Sequence, residues 1–439
     1  MADLKQFALQ IFHETLACID IPLSTRRKLA RDGSRIFANG VPYDLAAFQA
    51  IYAIAMGKAS VAMAQGLAET LAPDFRAEGI VVSPTAHSGL PEGFQSIISG
   101  HPVPNEGSFA AGRAILDLLA NATERTLVFF LLSGGGSALV ELPLDPEVTL
   151  EDMQLLNRVL VTCGASIDEI NAIRKHLSAV KGGRLAVAAR AATKITLAVT
   201  DVPEGQESAL ASGPTLPDPT TIADACEVVR RYGLLSRLPA RIQTRFKHPE
   251  SIPETPKASD PAFGFGRTTF QILLGRHELF HAAHHASESM GFITICDNST
   301  DNWPVEKAVD FLLAQLSALK EANPGKCVAV IADGEVSSPV TGNGIGGRNL
   351  AFVLDCVKKI AGRRIAVLSA GTDGVDGSSP AAGAVADGET LSRAQALGLD
   401  PAAYFHRSDS YNFFRALGDA IETGPTGNNL RDLRILLAE

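Results

Sequence analysis

Long apolar runs are scarce: the longest uninterrupted one is Ala50–Met56, far short of the roughly 20 residues that a helix needs to cross a bilayer. No membrane partner is expected. Positive charge is also in deficit, with a formal net charge of −9, whereas nucleic acids and anionic membrane surfaces require clustered Lys and Arg. Small metabolites are the partners that remain. The six cysteines, Cys18, Cys163, Cys226, Cys296, Cys327 and Cys356, lack C-x-x-C spacing, which argues against a disulfide framework and for a reducing cytoplasm. The N-terminal stretch MADLKQFALQIFHETL carries an early acid and no charged-then-apolar order ending in small residues, so it predicts an amphipathic helix and no secretory signal. Repeats, coiled-coil heptads and low-complexity tracts are absent as well. Nothing in the sequence fixes the oligomeric state, and a homo-oligomer is compatible with it.

What is present is an alternation of short apolar runs with helical patterns, the mark of an α/β protein built on parallel sheets. Strands are predicted at Ala50–Met56, Gly79–Ser83, Ser96–Gly100, Leu127–Ser133 and Lys194–Val199, and again at Thr269–Leu274, Phe292–Cys296, Cys327–Ala332 and Arg364–Ala370. Between Arg237 and Gly266 the pattern weakens into a proline-rich stretch. With 439 residues, too many for one ordinary core, two domains are expected, at 1–240 and 265–439.

Carboxyl ends of strands face the ligand crevice in open α/β sheets, and here they are polar and glycine-rich. Gly57-Lys58 follows the first strand and opens a helix, where a cation opposes the helix dipole and so suggests a functional reason. Ser133-Gly134-Gly135-Gly136-Ser137 follows LVFFLLS. Consecutive glycines let backbone N–H groups converge on an anion, yet the loop matches neither a Walker motif nor a nucleophile elbow. NAIRKHLSAVKGGRLA gathers Asn171, Arg174, Lys175, His176, Lys181, Gly182, Gly183 and Arg184 in an acidic protein, which suggests a polyanion pocket. Asp201, Asp333 with Glu335, and Asp373 with Asp376 stand after later strands, as Mg2+ held through one or two oxygens would require. GRHELFHAAHH spaces its histidines along one helical face but lacks an H-E-x-x-H pattern, so solvated or structural histidines are expected.

TGNGIGGRNL raises the question of a dinucleotide site, because Gly342, Gly344 and Gly347 fit G-x-G-x-x-G. That fingerprint starts directly at a strand end. Here DGEVSSPV intervenes after Ala332, which a tight strand-to-helix turn cannot contain. Arg348 at the following helix start suits a loosely approached phosphate.

The motifs LLSGGGSALVELP, NAIRKHLSAVKGGRLA, TDVPEGQESALASGPT, GGRNLAF, AGTDGVDGSSPAAGA and TGPTGNNLRDL, in this order, together resemble the glycerate 2-kinases, whose C-terminal part is the MOFRL domain. Some relatives carry the label hydroxypyruvate reductase, an NAD(P)H-dependent alternative. The resemblance implies a Rossmann-like N-terminal domain, a MOFRL domain and an active site in the cleft between them. It implies transfer of phosphate from ATP, with Mg2+, to the 2-hydroxyl of D-glycerate, giving 2-phosphoglycerate. Lys58 and Arg348 look like the family's proposed catalytic pair, and Ser133–Ser137 resembles its phosphate-binding loop, to which Lys181, Gly182 and Gly183 are added as cofactor contacts. Asn171 and Arg174 are the expected substrate contacts, and Asp201, Asp373 and Asp376 the expected metal ligands. Many relatives have aspartate where Asn105 stands and an acid near Gln206, so no metal role is expected at those two positions.

Overall fold

A computed structural model describes every residue except Met1, Ala2, Ser88, Asp201, Pro203, Glu204, Phe265, Gly266, Pro425 and Asn429. The chain forms two compact units, one of Ile21–Leu273 and the other of Met1–Asp20 with Leu274–Glu439. No helix among the described residues is long and apolar enough to cross a membrane.

The first unit starts with a small antiparallel sheet of β1 (Arg31–Asp32), β2 (Arg35–Ala38) and β3 (Val41–Asp44). Its main sheet comprises β4 (Ala50–Met56), β5 (Glu78–Ser83), β6 (Phe94–Ile98), β7 (Thr126–Leu132), β8 (Thr193–Val199) and β9 (Thr268–Leu274), in the order β6-β5-β4-β7-β8-β9. From β6 to β8 every pairing is parallel. Every residue of β7 is buried, as expected of a central strand covered on both faces. Phe129 and Phe130 lie on it with no exposed surface, and each such side chain contributes about 1.5–3 kcal/mol by leaving water. The strand order reverses between β4 and β7, which makes that junction the switch point where an α/β sheet opens a crevice.

A helical layer belongs to the same unit. Helices Leu150–Val161, Ile167–Leu177, Ile222–Arg231 and Ala240–Lys247 enclose Leu156, Leu160, Ile173, Val228, Ile242 and Phe246. The expected boundary at 237–266 is therefore corrected: Ile242 and Phe246 give this stretch an apolar face, and that face packs into the helical core. The strand expected to open the second domain, now β9, is instead the edge of the first sheet, where Lys194 donates its N–H to the Arg267 carbonyl at 2.9 Å and Tyr43 meets Thr269 at 2.5 Å.

The second unit holds β10 (Ile293–Asp297), β11 (Val328–Asp333), β12 (Ile365–Gly371), β13 (Gly383–Asp387), β14 (Ala420–Ile421) and β15 (Asp432–Ala438), in the order β10-β11-β15-β12-β13-β14. Only β10 and β11 pair in parallel; β15 runs antiparallel between β11 and β12. The expectation of a parallel sheet thus fails here. The N-terminal helix Leu4–Cys18 also belongs to this unit: it buries Leu4, Ala8, Ile11 and Phe12 on one stripe, Phe7 meets Phe292 edge-on at 5.6 Å, and Lys5 pairs with Asp419 at 2.6 Å. Its apolar stripe at helical spacing finds its partner surface there.

Candidate active site

At the junction of β4 and β7 the two loops that follow these strands are tied together. Ser133 donates its N–H to the Met56 carbonyl at 3.0 Å, Lys58 donates its N–H to the Gly134 carbonyl at 2.9 Å, and the Ala59 N–H reaches Ser133 Oγ at 3.0 Å. Gly57 makes this approach possible. It sits at φ +122, and a Cβ there would collide with the side chain and carbonyl of Ser133. Lys58 is thereby fixed over the glycine loop: a Cβ on Gly135 would stand 3.7 Å from Lys58 Cγ. The Gly136 N–H turns back to the Ser133 carbonyl at 3.3 Å, and no described acceptor takes the Gly134 or Gly135 N–H. These two amides are the donors that the loop can offer to an anion.

His101 joins the same spot from the loop after β6. A Cβ on Gly135 would meet His101 Cδ2 at 3.0 Å and Nε2 at 3.1 Å. Burial of the ring first, and the Lys58 ammonium second, hold its pKa below the ordinary histidine value. Asn105, where many relatives have aspartate, caps helix Glu106–Ala120 by accepting from the Ser108 N–H at 3.3 Å, and it also accepts from the Gly100 N–H at 2.9 Å. Either residue type performs that capping.

Deeper in the unit, Ser137 bonds Ser212 at 2.7 Å and Ser212 donates to Asn171 Oδ1 at 3.0 Å. Asn171 is therefore tied to the glycine loop. Lys181 is buried and forms an ion pair with Glu141, whose other oxygen accepts from Ser178 at 2.6 Å. Burial lowers the Lys181 pKa, and attraction to Glu141 opposes this without cancelling it. The Gly182 and Gly183 N–H groups donate to the Ser212 and Gly213 carbonyls at 3.0 and 2.7 Å. The expected cofactor contacts Lys181, Gly182 and Gly183 are thus engaged within the protein, the two amides with carbonyls and the ammonium with Glu141. Arg174 is partly exposed and bonds Asn157 at 2.5 Å. Burial lowers its pKa, with the Glu141 charge acting the other way. Among the described residues, Lys175, His176 and Lys181 of this stretch each face a carboxylate, whereas Arg174 and Arg184 are half-buried and make no ion pair, Arg184 donating to the Pro253 and Glu254 carbonyls at 3.3 and 3.5 Å. Asp201 lies outside the described residues.

In the second unit Arg348 opens helix Arg348–Lys359 and is gripped by two carboxylates. Its Nε donates to Asp432 Oδ2 at 2.5 Å and Nη2 to Oδ1 at 3.3 Å, while Nη1 and Nη2 reach Glu335 at 2.8 and 2.7 Å. Burial alone would lower the arginine pKa, but Asp432, then Glu335 and Asp376, carry it above the usual range. Asp376 is a helix cap: its oxygens accept from the Asn349 and Leu350 N–H groups at 3.2 and 2.8 Å. Burial nevertheless pushes its pKa up to about 7. Its oxygens, spent on the helix, do not suit a metal ligand. Asp373 turns its carboxylate to the Val375 N–H at 3.1 Å, and a Cβ on Gly371 would stand 3.0 Å from Asp373 and 3.4 Å from Asp432. No group of three described His, Cys, Asp or Glu residues is arranged to hold a metal ion. Asp373 fits Mg2+ touched by one side-chain oxygen and otherwise by water and phosphate, whereas both Asp432 oxygens are spent on Arg348.

The glycines of TGNGIGGRNL are packing elements. The Gly344 N–H donates to the Arg407 carbonyl at 3.0 Å and the Ile345 N–H to Asp409 at 3.1 Å. Cβ atoms at Gly342 and Gly347 would collide with Arg407 and Asp376. The loop is spent on its own unit, with no strand end at its start.

Two family models match the chain: a domain of unknown function, DUF4147, over residues 7–247 and the MOFRL family over residues 328–432. The D-glycerate 2-kinase of Thermotoga maritima is 37% identical over 87% of this chain and 89% of its own length. The chain belongs to the glycerate 2-kinase family. A crystal structure of glycerate kinase from Thermotoga maritima superposes with a TM-score of 0.85 at 33% identity, covering 99% of both chains. An Agrobacterium vitis protein with a provisional hydroxypyruvate reductase name is also 37% identical, over 88% of this chain and 86% of its own. The glycerate 2-kinase resemblance drawn from the motifs is thereby established at the level of family.

His101, Glu141 and Asp432 were not singled out from the sequence. His101 and Glu141 stand in irregular segments outside any charge cluster. Asp432 begins a strand, so a search of strand carboxyl ends passes over it.

Proposed function

We propose that the chain is a cytoplasmic enzyme that transfers the terminal phosphoryl group of ATP, with Mg2+, to the 2-hydroxyl of D-glycerate, giving 2-phosphoglycerate. The observation that carries this reading is Lys58 held over the glycine loop, with its Gly134 and Gly135 amides, at the switch point of the strand order, in a chain similar over most of its length to a D-glycerate 2-kinase. Phosphoryl transfer asks a protein mainly for alignment and for positive charge on the equatorial oxygens.

In this reading the two glycine amides hold phosphate oxygens and the Lys58 ammonium neutralises the transferring group. Arg348 supplies the second positive charge, oriented by the buried Asp432, while the half-exposed Glu335 yields its place to phosphate. Arg174 binds the carboxylate of glycerate, because Lys181 is committed to Glu141. Asp373 is the carboxylate that would hold Mg2+, with Asp201 a further candidate. Bound there, Mg2+ neutralises phosphate charge.

A coupled assay tests this reading. ADP release on adding D-glycerate to enzyme and ATP is expected, with no NADH or NADPH oxidation on adding hydroxypyruvate. The reverse pattern identifies a reductase. Arg348→Ala is expected to lower turnover by a factor on the order of 10³ or more, and a loss under about tenfold removes Arg348 from the transfer.

A further inference from the structure

His101 is placed by a chain of contacts that runs through the cap of helix Glu106–Ala120. After β6, Ser99 donates its hydroxyl to the Leu139 carbonyl at 2.6 Å and bonds Ser108 at 2.9 Å, which pins the loop to the short helix that follows the glycine loop. Gly100 then donates to the Asn105 cap at 2.9 Å. The result lays the imidazole edge against Gly135, with a would-be Cβ 3.1 Å from Nε2, on the same glycine that Lys58 overlies. The ring is packed against Gly135 on one edge while the residue keeps surface open to solvent, so a proton taken up there can pass to water.

We propose that His101 is a catalytic residue of this site, the group that takes the proton from the attacking hydroxyl of the acceptor. The inference rests on the kinase reading above. In the step, the acceptor oxygen forms a bond to the γ-phosphorus while the bond from that phosphorus to the β,γ-bridging oxygen breaks. The electron pair of that bond leaves with ADP, the hydroxyl proton moves to Nε2 of His101, and the imidazolium then releases it to solvent. A loose transition state builds little charge on the nucleophile, so a weak base suffices. Lys58 is the charged group among the described residues that bears on the ring, and it favours the neutral imidazole, the form able to accept a proton. Within the same unit, Glu141 is less suited, because it is paired with Lys181.

The test is steady-state kinetics of the full chain with ATP, Mg2+ and D-glycerate from about pH 5 to pH 8, for wild type, His101→Gln and His101→Asn. Wild-type kcat/KM is expected to fall on the acid side with a midpoint below about pH 6.5, the ordinary histidine value. Both variants are expected to lose about 10² in kcat at pH 7, to keep KM for both substrates within about threefold, and to lose the acid limb. A loss under about fivefold, or an acid limb that persists in both variants, overturns the assignment. A structural role would move KM or the melting temperature and leave the limb in place. If wild type releases no ADP with D-glycerate, the kinase reading fails and takes this inference with it; if it does and the variants match it at every pH, only the inference fails.

Discussion

Arg348 and Asp432 are joined by two parallel hydrogen bonds, Nε to Oδ2 at 2.5 Å and Nη2 to Oδ1 at 3.3 Å. Asp432 begins the buried central strand β15, so the fork is fixed to the sheet, whereas Glu335 on the other side of the guanidinium is 44% exposed. The two carboxylates are therefore unequal partners. Asp432→Asn keeps the shape and weakens the grip, and it is expected to lower kcat by about tenfold or more with little change in melting temperature. Glu335→Gln is expected to strengthen nucleotide binding, since a phosphate no longer competes with a charged rival. Isothermal titration with ATP checks the second point, and weaker binding by Glu335→Gln would count against exchange.

Gly57 supplies the backbone geometry that brings the β4 and β7 loops into contact. At φ +122 with Ser133 in the path of any Cβ, alanine strains the backbone by about 1–3 kcal/mol and forces the loops apart. Gly57→Ala is expected to melt several degrees lower and to lose most of its activity. Unchanged melting and turnover would show that the loops adapt freely.

The buried pair of Lys181 and Glu141 separates a structural cation from a ligand-binding one. Lys181→Met leaves Glu141 charged and uncompensated, a loss of about 3–5 kcal/mol. The double variant Lys181→Met with Glu141→Leu is expected to recover much of that stability, as replaced buried pairs often do. If the double variant folds but cannot bind D-glycerate, Lys181 and not Arg174 is the carboxylate ligand. Calorimetric melting and KM for glycerate decide between these results.

Asp333 at the end of β11 is fully buried, neither of its oxygens has a hydrogen-bond partner among the described residues, and Arg276 approaches only to 3.4 Å. Burial pushes its pKa up to about 6 from the usual 3.8. A raised carboxyl pKa favours the protonated folded state, so its contribution to stability is fully present below about pH 4 and is lost as pH rises through about 6. Asp333→Asn removes that loss. The variant is expected to gain on the order of 2–3 kcal/mol over wild type at pH 8 and almost nothing at pH 4. Equal gains at both pH values would mean that Asp333 is not titrating in this range.

The sequence exposed those parts of the fold and site that rest on local pattern. Strands β4 to β12 are short apolar runs, and all of them stand near where those runs place them. Strand β15 escaped because Arg434 interrupts DLRILLA; in the fold that arginine is buried, donating to the Asp333 carbonyl at 3.2 Å. An interior Arg held by backbone carbonyls and an aromatic ring cannot be told from a solvated one by periodicity. Two units are legible in the sequence, but the proline-rich stretch reads as a boundary because its two apolar anchors, Ile242 and Phe246, are few. Lys58 and the glycine loop were legible from strand-end position and glycine content. The commitments of Lys181 to Glu141 and of Asp376 to a helix start depend on partners dozens of residues away, which no spacing rule reveals.

The central claim is the chemistry itself, and 31P NMR of the reaction tests it most directly. Enzyme with ATP, Mg2+ and D-glycerate is predicted to convert the γ-phosphate resonance into that of a phosphomonoester coupled to the single proton on C2, with ADP formed in equal amount. A resonance coupled to the C3 methylene protons, or ATP that stays intact while NADH is consumed with hydroxypyruvate, would contradict the account.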